Sequence, residues 1–303
     1  MINECVRWIS DAPRHRRGIR CLQVALGLAL LFRTFTEAPF AAYFWGPEGL
    51  GQTSTQAMLG PLGIVMDRTF DAVWSVYLLL AVQGAVGLAL IVGWRTRIVT
   101  AIGFVVFVSF EYRLHSITDG GDNVTRLALM YMVMLLPAGA KDPPPGSMRT
   151  FVHNLGVLLL GFQVLVMYFT TGIMKANGAL WHQGTALYLI GQVEWFSLDG
   201  MRDMFKNPLV VVVATYSTVL WQVWFPMGVF TRFRMLFVGV GVLFHVGIGV
   251  FMGLVCFSTV MLGLELFLLT DAEHVKIAGW VRSARDRVVA LWPASGVRGR
   301  VRA

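Results

Sequence analysis

Charge is what this chain has least of. Lys, Arg, Asp and Glu make up 14% of its 303 residues, where ordinary soluble domains carry about a quarter. So few charges cannot cover a water-exposed surface, which excludes an ordinary soluble domain. Cysteine is scarce as well. Cys5, Cys21 and Cys256 are odd in number and have neither metal nor redox spacing. That excludes a disulfide framework and a thiolate metal centre, and leaves the three as small apolar fillers. No self-similarity at a period of roughly 20–50 residues is present, which excludes a solenoid or propeller.

What the chain has instead is hydrocarbon. Apolar residues make up 56% of it and the mean hydropathy is +0.65. These values describe a multi-pass protein for which the bilayer is the solvent, so outward faces can be apolar too. The net charge of +8 does not point to nucleic acid, because the basic residues sit in short loops and a terminal tail. There they read as charges that set membrane topology. Arg14, Arg16, Arg17 and Arg20 precede the first apolar run, which ends in Arg33 and Glu37 without a clean cleavage site. It reads as an uncleaved first span.

A span needs about 17–25 apolar residues. Runs at 20–37, 70–93, 97–111, 124–137, 152–172 and 208–230 qualify or come close, and the run from Met235 to Thr270 is too long for one crossing. Gly253 lies near its middle, so it divides into 235–252 and 255–270. The fold class predicted is all-α: a polytopic transmembrane bundle of about eight spans covering residues 1–275, followed by a basic cytoplasmic tail at 276–303. With both termini in the cytoplasm, Arg95, Arg97, Lys141, Arg149, Arg232, Arg234 and the tail (Lys276, Arg282, Arg285, Arg287, Arg298, Arg300 and Arg302) all fall inside. The outer loops keep few basic residues, as the positive-inside rule requires. Two outer connections, 38–69 and 173–207, are long and aromatic, so a site opening outward is expected. The predicted location is the cell membrane, the bacterial inner membrane in particular.

Ionisable groups at membrane depth are costly and each needs a reason. Arg33 and Glu37 share a helical face near the outer end of the first span, either as an anchoring pair or as the lining of an outer cavity. Glu111 and His115 repeat that spacing before a loop carrying Asp119, Asp122 and Arg126; their spacing matches no metal motif, and no metal is expected. His245 in the seventh span and Glu265 in the eighth read as an interspan hydrogen bond or as part of a proton path. In "YFTTGIMKANGALWHQGTALYL", Tyr168, Thr171, Gly172 and Lys175 share one face if the fifth span stays helical. Lys175 then sits at the outer interface, with Trp181 and His182 on a following segment able to fold back over it. A snorkelling lysine and a desolvated lysine acting as a base fit these residues equally.

That stretch resembles the signature of the HTTM superfamily, the membrane domain of vitamin K-dependent γ-glutamyl carboxylases, which carries Tyr-Phe-x-x-Gly-x-x-Lys followed by a Trp. "LFHVGIGVFMGLVCFSTVMLG" is similar to the family's Phe-His…Phe-Ser-x-x-Met, with Phe244, His245, Phe257, Ser258 and Met261 in those places. "HSITDGGDNVTRLALMYMVMLLPAG" and "FWGPEGL" are similar to bacterial members. The resemblance covers about residues 15 to 272. It implies that Lys175 is the base that deprotonates a vitamin K or menaquinone hydroquinone, with His245 as a second catalytic residue. Tyr168, Gly172, Trp181, His182, Arg33, Glu37, Glu111 and Asp122 would surround substrate and quinone. Val124 stands where the carboxylases have a functional histidine, and the chain ends soon after its last span, so a minimal membrane core is expected. In size and pattern it is similar to stand-alone members of the sporulation-delaying-protein B type, associated with maturation of secreted toxin peptides.

Three functions follow as expectations. The first is a quinol-linked enzyme, carboxylase-like or oxidoreductase-like, acting on an exported peptide. The second is a maturation or export partner without chemistry of its own, working with a second membrane or secreted protein. The third is a proton-coupled transporter, which the lack of a clear inverted repeat disfavours.

Overall fold

The structure is a computed structural model describing residues 2–51, 60–194 and 197–291. Arg298, Arg300 and Arg302 of the expected tail lie outside the described residues. Those residues form helices and connecting turns, with no strand among them. Helix α1 (Ile2–Ser10) precedes α2 (Arg16–Glu37), which continues through a 3-10 turn into α3 (Ala41–Trp45). There follow α4 (Pro61–Arg68), α5 (Val73–Val92), α6 (Thr96–Arg113), α7 (Gly120–Met132) and α8 (Met148–Asn177). Three short helices, α9 (Ala179–His182), α10 (Ala186–Gln192) and α11 (Asp199–Met204), lead to α12 (Pro208–Val229). Helices α13 (Arg234–Phe251), α14 (Val255–Phe267) and α15 (Asp271–Leu291) close the chain.

Local signals explain where these helices begin and end. The Ser147 hydroxyl caps α8 by accepting from the Thr150 N–H. Asn207 caps α12, with Pro208 at its first position, where the missing N–H leaves no donor stranded. Asp119 and Asp122 form a reciprocal capping box on α7. Gly93, at φ 83°, ends α5 in the left-handed conformation.

Five helical segments are long and apolar enough to cross a membrane: Arg16–Trp45, Val73–Val92, Met148–Asn177, Pro208–Val229 and Arg234–Phe251. They become six if α14 and α15, bent by 111° at their junction, count as one broken span. Each of the eight expected runs corresponds to a helix, but α6, α7 and α14 fall short of that standard. Helices α7 and α14 have 13 residues each, about 20 Å at 1.5 Å per residue, against a hydrocarbon core of about 30 Å. Helix α6 carries Arg97, Glu111 and Arg113. The turn between α13 and α14 falls at Gly253, where the sequence places it (φ 67°). The segment read as a tail begins inside α15.

Helix α2 is the central stave. A Cβ on Gly27 would lie 2.6 Å from the Gly87 carbonyl oxygen of α5, and one on Gly87 would lie 2.8 Å from that of Gly27. On its other side, a Cβ on Gly18 would meet the Phe267 carbonyl of α14 at 2.8 Å. Small residues at such crossings let backbones touch, the usual device where lipid supplies no hydrophobic drive between helices. Ile19, Leu22, Leu26 and Leu30 of α2 fill the core with Leu90, Phe107, Leu129 and Phe267. Large apolar side chains also face outward, among them Phe162, Leu220, Trp224 and Leu243. Such a belt suits hydrocarbon and not water.

At one end of the bundle, arginines close the helices that terminate there. Arg20 of α2 donates to the carbonyls of Leu90 (3.1 Å) and Ile91 at the end of α5. Arg97 of α6 donates to Met134 (2.6 Å) and Leu135 (3.0 Å), just past α7. Arg234 of α13 donates to Val229 of α12 at 2.8 Å. The last carbonyls of a helix lack partners within it and carry its negative pole, so guanidinium groups satisfy both needs. At this same end α8 secures the N-terminal segment. The Asn154 amide donates to Ile9 and Ala12 and its oxygen accepts from the Arg14 N–H, while His153 Nε2 donates to the Arg14 carbonyl at 2.9 Å.

His15 lies before α2 with φ 55° and donates from Nδ1 to the Phe267 carbonyl at 2.9 Å. Burial lowers its pKa below the ordinary histidine value, against the opposing pull of the Phe267 carbonyl and Asp271. A depressed folded pKa means that the unfolded chain binds the proton first. Stability is therefore full above about pH 6.5 and falls as pH drops through that value. Thermal unfolding of the purified protein from pH 7.5 to 5 is expected to show this loss, and His15→Asn to flatten it, since Asn tolerates the left-handed backbone. Gly27→Ala is expected to lower the melting temperature through a strain of about 1–3 kcal/mol, measured by the same melt.

Candidate functional site

Three polar groups meet in the middle of the bundle. The Tyr168 hydroxyl of α8 donates to Glu265 Oε1 of α14 at 2.6 Å. His245 of α13 places Nδ1 2.9 Å from the same oxygen and 3.1 Å from the Gly241 carbonyl one turn earlier. Facing two acceptors, Nδ1 carries the proton. All three side chains are essentially inaccessible. Aromatic rings wall the centre: Phe225 lies 4.1 Å and Trp221 5.2 Å from Tyr168, and Phe244 and Phe257 flank His245 at 5.1 and 5.5 Å. Gly241 makes the arrangement possible, because a Cβ there would sit 2.2 Å from Glu265 Oε1. Glu265 Oε2 and Ser258 Oγ are buried without a hydrogen-bond partner among the described residues. The centre is a unit of three groups meeting at one carboxylate oxygen.

A second, ionic cluster lies near the far end of α2. Arg33 bridges Glu37 Oε1 (2.6 Å) and Asp122 Oδ1, with its guanidinium over the Phe107 ring at 4.8 Å. These residues line a cavity of about 200 Å³ with Asp119, Thr125 and Cys256. Glu111 pairs with Arg126 at 3.5 Å. His115 is exposed in a 3-10 turn and makes no pair with Glu111, because the helix breaks at Leu114 before the face repeats. Cys256, read as an apolar filler, turns its thiol to the Ala29 carbonyl at 3.7 Å and faces this cavity.

The expected lysine occupies a third place. Lys175 Nζ lies over the Trp181 ring, 5.3 Å from its centroid, where the chain folds back after Gly178 into α9. The amine has no carboxylate partner among the described residues. His182 is exposed, and its carbonyl accepts from the Tyr216 hydroxyl at 2.8 Å. Gly172 serves the helix crossing: a Cβ there would meet the Val223 backbone nitrogen of α12 at 2.9 Å. Tyr168 and Lys175 do share a face, but seven residues separate them by about 10 Å along the axis. The structure thus joins Tyr168 to His245, joins Arg33 to Glu37 and Asp122, and leaves Lys175 with Trp181. Sequence reasoning missed Trp221, Phe225 and Gly241; only the four-residue spacings 221/225 and 241/245 signalled them.

The first turn of α14 touches both polar clusters. Cys256 lines the cavity, while Phe257 touches the Gly121 turn on one side and the His245 ring on the other.

The chain is similar to YitO of Bacillus subtilis (strain 168), itself uncharacterised, with 27% identity over 235 residues and 72% of each chain covered. It is also similar to the sporulation-delaying protein SdpB of that organism, 21% identical over 207 residues. The chain resembles SdpB. That likeness spans 63% of each chain, so about a third of SdpB's length lies outside it. No protein-family model matches, so the wider HTTM resemblance rests on the quoted motifs, and no solved structure matches either.

The central unit yields a graded expectation. Tyr168→Phe removes one interhelical hydrogen bond and should cost about 1 kcal/mol. Glu265→Ala strands the phenol and takes one of two acceptors from the imidazole, and should cost about 2–3 kcal/mol. Gly241→Ala should resemble Glu265→Ala, because its methyl group displaces the carboxylate. Melting temperatures in one detergent rank the three.

Proposed function

We propose that the chain is a multi-pass cell-membrane protein that modifies an exported peptide at its outer face, with the Lys175 amine as proton acceptor. Both termini would be cytoplasmic, a reading supported by the arginines gathered where α2, α6 and α13 begin. The observation that carries the chemistry is the Lys175 amine itself: half-buried, facing an indole and without a carboxylate partner among the described residues. It lies at the same end of the bundle as the Arg33–Asp122 cavity, since α2 and α8 start together at the opposite end. A lysine required only as an anchor would do as well with a counter-ion.

The surroundings suit a hydroquinone of the vitamin K or menaquinone class. The amine would accept an acidic hydroxyl's proton, and the Trp181 indole offers a face for a ring. Such a group, when bound, supplies reducing equivalents. The chain's own part is to hold Nζ near the interface, to exclude water with Trp181 and the α9–α10 segment, and to receive the proton. His245, about two turns deeper, would act as a second proton-holding group through Glu265.

The likeness to SdpB favours a second reading, in which the protein serves a sporulation-delaying type of pathway as a partner without chemistry of its own. Lys175 separates the two. Purified protein in lipid nanodiscs, with dioxygen supplied as the electron acceptor, is expected to accelerate hydroquinone oxidation, and both Lys175→Ala and Lys175→Arg are expected to lose this by at least tenfold, because a guanidinium does not deprotonate. Full activity in Lys175→Arg would remove the base role. Wild type no better than empty discs would leave the partner reading in its place.

A further inference from the structure

Helix α15 leaves the bundle at 111° to α14, at the end where the arginines close α5, α7 and α12. Its first turn is fixed there: Thr270 and Glu273 cap it, Asp271 accepts from the Arg16 and Arg17 N–H groups, and Arg234 approaches Glu273 at 3.4 Å. The bonds at Thr270, with Arg234 beside them, hold the Glu273 carboxyl below its ordinary pKa despite the opposing effect of burial. Ile277 still packs on the core. From Trp280 onward every described side chain is exposed.

The stripe that begins with Ile277 continues at helical spacing through Val281, Ala284 and Val288, with Trp280 at its margin. Val281 and Val288 are each 63% exposed, as is Trp280. Lys276 and Arg287 flank this stripe on one side and Arg285 on the other. A stripe whose first residue seats against the bundle and whose remainder runs past its edge lies level with the end of the membrane-crossing helices. Beyond that edge lie lipid headgroups.

We propose that α15 is an interfacial helix that binds the surface of an anionic leaflet. Val281, Ala284 and Val288 enter the boundary between headgroups and acyl chains, and Lys276, Arg282, Arg285 and Arg287 contact lipid phosphates. The occupant follows from charge complementarity. From Lys276 to the end of the helix there are four basic residues and one acid, Asp286, which Arg285 already pairs at 3.0 Å. Arg17, Arg95 and Arg232 are exposed at the same end. Apolar insertion combined with basic flanks is what holds such helices in the interface plane.

The test uses the full chain with its native cysteines replaced, carrying one environment-sensitive fluorophore at Val288→Cys or, as the outward-facing control, at Ser283→Cys. Each is reconstituted in nanodiscs of phosphatidylcholine alone or with one third phosphatidylglycerol. The proposal expects a blue-shifted label at 288, quenched at least twofold by shallow spin-labelled lipid in the anionic discs, and a label at 283 that stays water-like. Reversing Arg282, Arg285 and Arg287 to Glu should abolish the quenching while the bundle melts as before. Quenching equal in both lipids, equal at both positions or unchanged by charge reversal would overturn it. Shielding of 288 that appears only with two copies per disc would overturn it in favour of self-association. None of these readouts depends on Lys175 chemistry.

Discussion

The rest of this architecture depends on satisfying helix carbonyls where water is scarce. Helices that end at the basic face leave their last carbonyls without a partner inside the helix, and a buried carbonyl left unpartnered costs about 1–3 kcal/mol. Arg20, Arg97 and Arg234 each start one helix and close another. These contacts bind neighbouring helices to each other, lock the up-and-down order and concentrate positive charge at one end. The same side chains therefore serve packing and topology. The short helices α7 and α14 survive because such contacts and the α2 core hold their ends, even though neither is long enough to cross a bilayer unaided.

Much of this was legible in the sequence, for reasons that can be named. Apolar runs mark helices directly, and the run at 208–230 matches Pro208–Val229 almost residue for residue because Asn207 and Pro208 mark its start. Gly253 marked the break between α13 and α14. The pairing of His245 with Glu265 was readable because two ionisable groups in apolar helices have few other partners. Depth was not readable. Tyr168 and Lys175 share a face, but helical periodicity fixes angle and leaves axial separation to be decided by what each meets. The roles of His153 and Asn154 were hidden too, since their partners are backbone carbonyls of a segment more than a hundred residues away. Cys256 carried no pattern at all.

The candidate residues are consequently spread along the bundle axis. Lys175 and Trp181 lie near one end of the bundle, the Arg33–Glu37–Asp122 cavity lies at the same end, and the Tyr168–His245–Glu265 unit lies nearer its middle. Each draws at least one residue from a long helix: Lys175 and Tyr168 from α8, Arg33 and Glu37 from α2. The aromatic walls around His245 exclude water and make every polar contact inside them stronger. The lysine is the least constrained of them, held by the Trp181 ring with no carboxylate partner among the described residues.

Phe257 ties this layering together. Its ring touches the buried imidazole on one side, and its backbone neighbour Cys256 borders the ionic cavity on the other. The buried triad and the ionic cavity are thus contacted by adjacent residues of one helix. A change of side chain in the first turn of α14 therefore bears on both polar clusters at once.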